Sequence, residues 1–349
     1  MLDDLATLDR LDRQGTRRVL AEFPAQCRRA RALPVAPPPS GRRPRLVVLA
    51  GMGGSAASGD VLAACGLDRV DVPIVVHRDY GLPAAVGRDA LVIASSYSGE
   101  TEEVLSATET AIARGVPVVA ITSGGALAGL AAAHDLARVV LPAGLMPRMA
   151  LGYLLLPAVA ALRACDVEVA SAADEDEAIE ALQALGDSLS AERPAADNQA
   201  KRIALEIGAR LPVVYGAGGV AAVAYRWKTD LEEFAKTFAL AGTVPEINHN
   251  EIEAWRIPDG RGLHLVLLRD PAESPEIARR YALMRELVAP AAGGLSEAWA
   301  RGRSRLTRLL SLTYLGQWVA YYLAVLRGVD PWTVPLLDEM KRRLRDGSP

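Results

Sequence analysis

The sequence predicts an α/β protein with two tandem doubly wound parallel-sheet domains and a helical C-terminus. Three observations carry this. From Arg45 onward, short β-branched runs alternate with alanine- and leucine-rich helical stretches, the pattern of repeated βα units on a parallel sheet. The order strand, glycine turn, helix occurs at residues 46–65 and again at 212–238. The 349 residues, 50% of them hydrophobic, are enough for two ordinary cores.

In the first half the strands are expected at 46–50, 74–76, 91–95, 116–121 and 137–141. Each is followed by a glycine, serine or proline signal and mostly by a helix, so residues 40–165 form one doubly wound unit. The acidic, alanine-rich stretch 171–180, with Asp174, Glu175, Asp176 and Glu177, breaks the pattern and reads as the linker. The domains therefore divide as 1–170 and 171–349. In the second, strands at 212–215 and 263–268 flank a long helix ending near Phe238. A mostly helical segment then runs from 273 to 345, interrupted by the turn signal at 328–331.

Composition narrows the partners. Lys+Arg 39 against Asp+Glu 42 gives a net charge of −3, and without a long single-sign run there is no footprint for nucleic acid, so a small soluble ligand is expected. Cys27, Cys65 and Cys165 lie far apart in apolar, helix-like context and read as reduced core thiols rather than a disulfide framework or metal site. Residues 1–18 carry Asp3, Asp4, Asp9, Arg10, Asp12 and Arg13 and lack the apolar core of a signal peptide. Apolar runs such as 149–162, which contains Pro157, fall short of the roughly 20 residues of a membrane span. A cytoplasmic protein with no membrane segment is the expectation.

Two loops carry candidate chemistry. Gly51-Met52-Gly53-Gly54-Ser55 follows a strand and precedes a helix, so its glycines let the backbone turn tightly and present amide N–H groups and the helix N-terminal charge to an anion. Such a turn also begins dinucleotide folds, or merely turns the chain. Gly51 and Gly53 fail G-x-G-x-x-G because Ala56 holds the last position, leaving its alanine form open, and no G-x-x-x-x-G-K-[ST] run exists. The second loop, Ser96-Tyr97-Ser98-Gly99-Glu100-Thr101, places three hydroxyls at the C-terminal end of a strand, where open α/β sheets bind ligands. The plainer reading makes Ser98 or Thr101 a helix N-cap. Two donor loops without a lysine suit a phosphomonoester better than a nucleoside triphosphate.

The G-M-G-G-S and S-Y-S-G-x-T loops resemble the phosphate loops of SIS (sugar isomerase) domains. The resemblance extends over nearly the whole chain and is closest to the bifunctional phosphoglucose/phosphomannose isomerases. It implies two SIS domains, a sugar 6-phosphate bound by Gly54, Ser55, Ser96, Ser98 and Thr101, no metal or other cofactor, and a homodimer with the active site at the subunit interface.

An aldose–ketose isomerase moves a proton between C1 and C2 through an enediolate. It needs a carboxylate base, a group that opens the sugar ring and a cation for the developing oxyanion. In the helix ending near Phe238, Val220, Val223, Trp227, Leu231, Phe234 and Phe238 mark the buried face. Lys228, Glu232 and Lys236 fall at i, i+4, i+8 as a solvated charge ladder. Glu233 lies about 100° further round, in line with Arg226, Asp230 and Thr237. From spacing alone it is a surface residue; Glu233-Phe234-Ala235-Lys236, however, resembles the family's E-N-A-K element, which implies that Glu233 is the general base, with Phe234 in place of asparagine. His249, in Asn248-His249-Asn250-Glu251, has two amides and a carboxylate beside it that could fix its tautomer, and reads either as an acid/base or as a loop histidine capping a helix. Resemblance to the family's N-H-N-E element implies that His249 opens the ring and reaches the site from the partner subunit.

Arg148, at the start of an apolar helix, opposes the helix dipole and calls for an anionic partner, an enediolate or a nearby carboxylate. Similarity of Pro147-Arg148-Met149-Ala150-Leu151-Gly152-Tyr153 to the family's arginine element implies the catalytic role. Lys341 resembles the C-terminal lysine that helps open the ring. His77, His134 and His264 are expected to be structural.

The function expected is interconversion of glucose 6-phosphate and/or mannose 6-phosphate with fructose 6-phosphate. One base can serve both epimers if the open chain rotates about C2–C3. The alternative is a non-catalytic sugar-phosphate sensor on the same fold, motivated by Phe234 and by Glu100 inside the phosphate loop. A nicotinamide-dependent oxidoreductase is disfavoured, because strand 74–76 runs into His77 and Arg78, with Asp79 only later.

Overall fold

Three short helices, α1 (Leu5–Leu11), α2 (Thr16–Ala21) and α3 (Phe23–Arg31), lead into the first sheet. The structure is a computed structural model and describes residues 1–39, 42–256 and 260–346. The first unit comprises β1 (Leu46–Ala50), α4 (Gly53–Gly66), β2 (Ile74–His77), β3 (Ala90–Ser95), α5 (Glu102–Arg114), β4 (Val118–Thr122), α6 (Gly125–Ala133) and β5 (Ala137–Val140). Its strands are all parallel in the order β2-β1-β3-β4-β5. The order reverses between β1 and β3, so the loops leaving these two neighbours open a crevice at their carboxyl ends.

A single 3₁₀ turn, Pro147–Met149, then α7 (Leu151–Arg163), α8 (Ala172–Leu189) and α9 (Gln199–Ile207) connect to the second sheet. That unit contains β6 (Leu211–Ala217), α10 (Val220–Ala235), β7 (Leu240–Val244), β8 (Leu263–Arg269), α11 (Pro275–Leu287) and β9 (Leu295–Trp299), again all parallel, in the order β7-β6-β8-β9. Helices α12 (Arg305–Leu326) and α13 (Pro335–Asp346) end the described chain.

Strand alternation divides the interior. Val47 and Leu49 of β1 and Val214 of β6 face one large core shared by both sheets, which also takes in α4, α7, α8, α10 and α12. Val48 and Ala50 face a smaller core under α5 and α6, and Val213 and Tyr215 face a third under α11. At the centre lies α12. By length and composition α12 could cross a membrane, a feature the sequence reading passed over, but 94% of its apolar window is buried inside the protein. It packs tightly against α10: a Cβ on Gly316 would sit 2.3 Å from the Trp227 indole nitrogen, which donates to the Leu312 carbonyl at 2.8 Å.

One expectation is corrected, and two short strands are added. The stretch 171–180 is not a linker but the start of α8. Ser171 and Asp174 form a reciprocal capping box, the acidic residues of the first turn meet the positive helix end, and Ala178, Ile179, Leu182 and Leu185 are buried. The segment after 273 is mostly helical, as expected, with one edge strand, β9 at Leu295–Trp299, in which Ser296 and Ala298 are buried. Strand β7, with Gly242 inside it and only Val244 buried, carries almost no apolar alternation. The glycine turn before α10 does recur, but there a Cβ on Gly219 would lie 3.3 Å from the Ala64 side chain of α4, a close approach that joins the two units.

Buried His264 shares a 2.8 Å hydrogen bond with Ser296, and burial holds its pKa down to about 4. The unfolded chain therefore takes up this proton first, and stability is lost as pH falls from about 6.5 towards about 4. Urea titrations across that window should show a falling unfolding free energy, with a shallower fall in His264→Asn; equal slopes would assign the acid sensitivity to other groups.

Candidate active site

The crevice between β1 and β3 is lined by the two donor loops. Helix α4 starts at Gly53 behind Met52, and α5 starts at Glu102 behind Thr101, and in neither does the N-cap side chain bond the first turn. By contrast, Ser171, Asn198, Ser274 and Ser304 cap α8, α9, α11 and α12. Open helix N-termini at adjacent strand ends leave amide N–H groups for an anion. Thr101 occupies the N-cap position, but its hydroxyl lies 2.8 Å from that of Ser96, which also accepts from the Gly99 amide at 3.1 Å. Ser98 Oγ accepts from the Glu100 amide at 3.3 Å, and Ser55 is buried with its hydroxyl unbonded among the described residues. Gly99, at φ +75°, is required: a Cβ there would lie 1.9 Å from the Gly124 carbonyl oxygen.

Glu100 does not point its charge at this crevice. Its carboxylate accepts from the Ala126 amide at 3.0 Å, at the N-terminus of α6, where a negative charge is favoured. That removes one of the two motives for a non-catalytic reading.

Both loops also hold the segment that carries Arg148. A Cβ on Gly54 would lie 2.6 Å from the Pro147 carbonyl oxygen, so glycine is needed there for close approach. From the second loop, Tyr97 Oη donates to the Pro142 carbonyl (2.7 Å) and accepts from the Leu145 amide (3.0 Å). Arg148 itself is 2% exposed. Its Nη2 donates to the carbonyls of Pro331 (3.0 Å) and Trp332 (2.5 Å), and its Nη1 lies 3.5 Å from Glu233 Oε2. Burial pulls the pKa of Arg148 down, opposed by the charges of Glu233, Asp230 and Asp338. Arginine nonetheless remains charged at neutral pH.

Glu233 lies in the last turn of α10 beside this cation, and its side chain is one quarter exposed (26%). Phe234, the departure from the E-N-A-K pattern, is fully buried, and its ring lies under the Arg148 guanidinium at 4.9 Å. It supplies a cation–π face, which removes the second motive for the non-catalytic reading. Glu232 behaves as the spacing predicts, bonding Lys228 at 2.7 and 2.8 Å. The ladder stops there, because Lys236 caps the helix at φ +51° and folds its ammonium back onto the carbonyls of Glu233 (2.6 Å) and Phe234 (3.3 Å). Burial of that end, with Arg148 nearby, lowers its pKa to about 8.

Gly54, Ser55, Arg148 and Glu233 are thus tied into one region at the junction of the two units. His249 is not brought to it by contacts within the chain. Its ring is exposed on the 3₁₀ turn Glu246–His249 and makes no hydrogen bond among the described residues. Its neighbours do not fix its tautomer either: Asn250 bonds Glu246, Asn248 accepts from Arg280, and Glu251 accepts from Tyr215. Lys341 lies on exposed α13, whose start follows the Pro331–Trp332 carbonyls that hold Arg148. Among the described residues no group of three or more His, Cys, Asp or Glu is placed to hold a metal ion.

Residues 42–138 match the SIS domain, and residues 196–344 match the bacterial phospho-glucose isomerase C-terminal SIS domain. A bifunctional phosphoglucose/phosphomannose isomerase of Caldicellulosiruptor bescii is 38% identical over 86% of this chain and 89% of its own length. The chain belongs to the bifunctional phosphoglucose/phosphomannose isomerase family. A second member, from Thermoplasma acidophilum, is 34% identical over 85% of this chain and 89% of its own length. The fold matches the crystal structure of a glucose-6-phosphate isomerase like protein from Thermus thermophilus, with a TM-score of 0.62, 24% identity and coverage of 96% and 99% of the two chains.

Around Arg148, sequence reasoning missed the carbonyls of residues 331 and 332, the Phe234 face and the pairing of Arg226 with Asp230 behind it. Arg226 and Asp230 are i,i+4 partners on the line through Glu233, and that spacing was the available signal.

Gly54→Ala should force the Pro147–Arg148 turn outward. The expected result is a fall in kcat with a stability loss of about 1–3 kcal/mol, read by steady-state kinetics and thermal melting. Unchanged kcat and melting temperature would show that the close approach is dispensable.

Proposed function

We propose that the chain interconverts fructose 6-phosphate with glucose 6-phosphate and mannose 6-phosphate through a cis-enediolate. The observation that carries this is the pairing of a buried, fixed guanidinium with a partly exposed carboxylate 3.5 Å away, beside two uncapped helix N-termini. The phosphate sits against Ser55, Ser96, Ser98, Thr101 and the open N–H groups of α4 and α5. Glu233 carries the proton between C1 and C2, and Arg148 stabilises the negative charge that develops on the enediolate oxygens. The long 3.5 Å ion pair and the partly exposed side chain leave the carboxylate able to turn to substrate.

Ring opening falls to His249 and Lys341. His249 is exposed on its own chain, and α13 presents Leu336, Met340 and Leu344 to solvent beside Lys341. Both features suit a homodimer in which His249 completes the partner's site. The buried unpaired thiols of Cys27, Cys65 and Cys165 suit a reducing, cytoplasmic setting.

Purified protein given fructose 6-phosphate should form glucose 6-phosphate and mannose 6-phosphate, followed separately by coupled assays. Glu233→Gln should lower kcat by at least about 100-fold while leaving substrate binding near wild type; clean binding with no product in the wild-type protein would instead make it a sensor. Mixing separately inactive Glu233→Gln and His249→Ala proteins under subunit exchange should restore turnover, because one of the two mixed sites then has both groups intact. No recovery despite exchange would place His249 and Glu233 of each site on one chain.

A further inference from the structure

The helix that carries Glu233 also buries an ion pair that no step of the isomerisation uses. Arg226 is 2% exposed and Asp230 is 1% exposed. Arg226 Nε donates to Asp230 Oδ2 at 2.8 Å, and Nη2 lies 2.7 Å from Oδ1 as an ion-pair contact without hydrogen-bond geometry. The same Nη2 reaches out of α10 to the main-chain carbonyl of Arg148 at 2.5 Å. Gln317 Nε2, from α12, approaches that carbonyl from 3.4 Å. A buried ion pair is weak support for stability, since desolvating two charges offsets most of their attraction. Here the pair spends one of its donors on the backbone of the residue whose guanidinium faces the base.

We propose that Arg226 and Asp230 are positioning residues: together they hold the Pro147–Met149 turn against α10 and so set where the Arg148 guanidinium stands relative to Glu233. This rests on the assignment of Arg148 and Glu233 as oxyanion stabiliser and base. Asp230 orients the Arg226 guanidinium, the guanidinium fixes the Arg148 carbonyl, and the carbonyl fixes the plane of the turn from which the side chain leaves. Because Asp230 precedes Glu233 by three residues on one helix, anchor and base move as one body. Neither residue of the pair hydrogen-bonds or ion-pairs with the phosphate loops among the described residues, so the effect is expected on kcat rather than on KM.

The test replaces both charges by apolar groups of similar size, Arg226→Met with Asp230→Leu. A stability role predicts a lower melting temperature and normal kcat in the folded fraction. The positioning role predicts a melting temperature at or above wild type, KM within about threefold, and kcat lowered about 10- to 100-fold. Affinity for a hydroxamate phosphate that mimics the enediolate should fall in parallel with kcat, while affinity for an open-chain alditol phosphate is kept. Should the double variant not fold, Arg226→Lys decides the matter. Its ammonium can pair with Asp230 but lacks the planar fork, so a folded protein with reduced kcat and unchanged KM supports the role, and wild-type kcat overturns it. Glu233→Gln separates the two levels: turnover retained there overturns the underlying site, whereas its loss alongside normal kcat in the Arg226/Asp230 variants overturns the positioning role alone.

Discussion

A guanidinium taken out of water must find partners for its charge and its N–H groups, and burying it without them costs on the order of several kcal/mol. Arg148 meets most of that demand with groups from distant parts of the chain, its Nε being left without a hydrogen-bond partner among the described residues. The carbonyls of Pro331 and Trp332 come from the turn before α13, the ring of Phe234 and the carboxylate of Glu233 come from α10, and its own carbonyl is held by Arg226 and Gln317. The turn that presents it is pinned in addition by Gly54 and Tyr97 of the two donor loops and by Gln26, which bonds the Met149 carbonyl at 2.8 Å. Satisfying one cation therefore sets the phosphate crevice, the base and the C-terminal turn at fixed mutual positions.

The remainder of the fold makes that arrangement rigid. One core runs from β1 through α4, α7, α10 and α12 to β6 and β8, so the two sheets are not separate bodies joined by a tether. Helix α12 is apolar on every side because every side is covered, and small residues set its approach to neighbours, as at Gly316 against Trp227. Helices α8, α9, α11 and α12 are closed at the N-terminus by serine or asparagine, whereas α6, α7 and α10 carry no side-chain cap. Where a phosphate is expected, at α4 and α5, the first turn is left open.

The two departures from the family pattern are accommodated by local chemistry. Phe234 exchanges an amide for a ring, and the ring serves the same arginine from beneath. Glu100 enters a loop built for an anion, yet its charge is spent on the N-terminus of α6. Neither fact is visible in a linear pattern, because both depend on which helix end or cation lies next to the side chain.

Much of the architecture was legible in the residues. The βα alternation, the G-M-G-G-S and S-Y-S-G-x-T loops, and the separation of Glu233 from the Lys228–Glu232 pair all follow from local stereochemistry and helical period, and each is where the spacing puts it. The acidic start of α8 was misread and the short strand β9 missed, since a capped helix start resembles a linker in composition, and a five-residue edge strand carries too little alternation to register. By itself the sequence determined the repeated strand–glycine–helix units and the donor groups available to them, because those depend on neighbours along the chain. Only the tertiary structure decided that Arg148 meets Glu233, that Arg226 and Asp230 stand behind it, and that His249 faces outward. The contacts around Arg148 depend on burial and charge satisfaction between residues 78 to 184 positions apart, which no local pattern encodes.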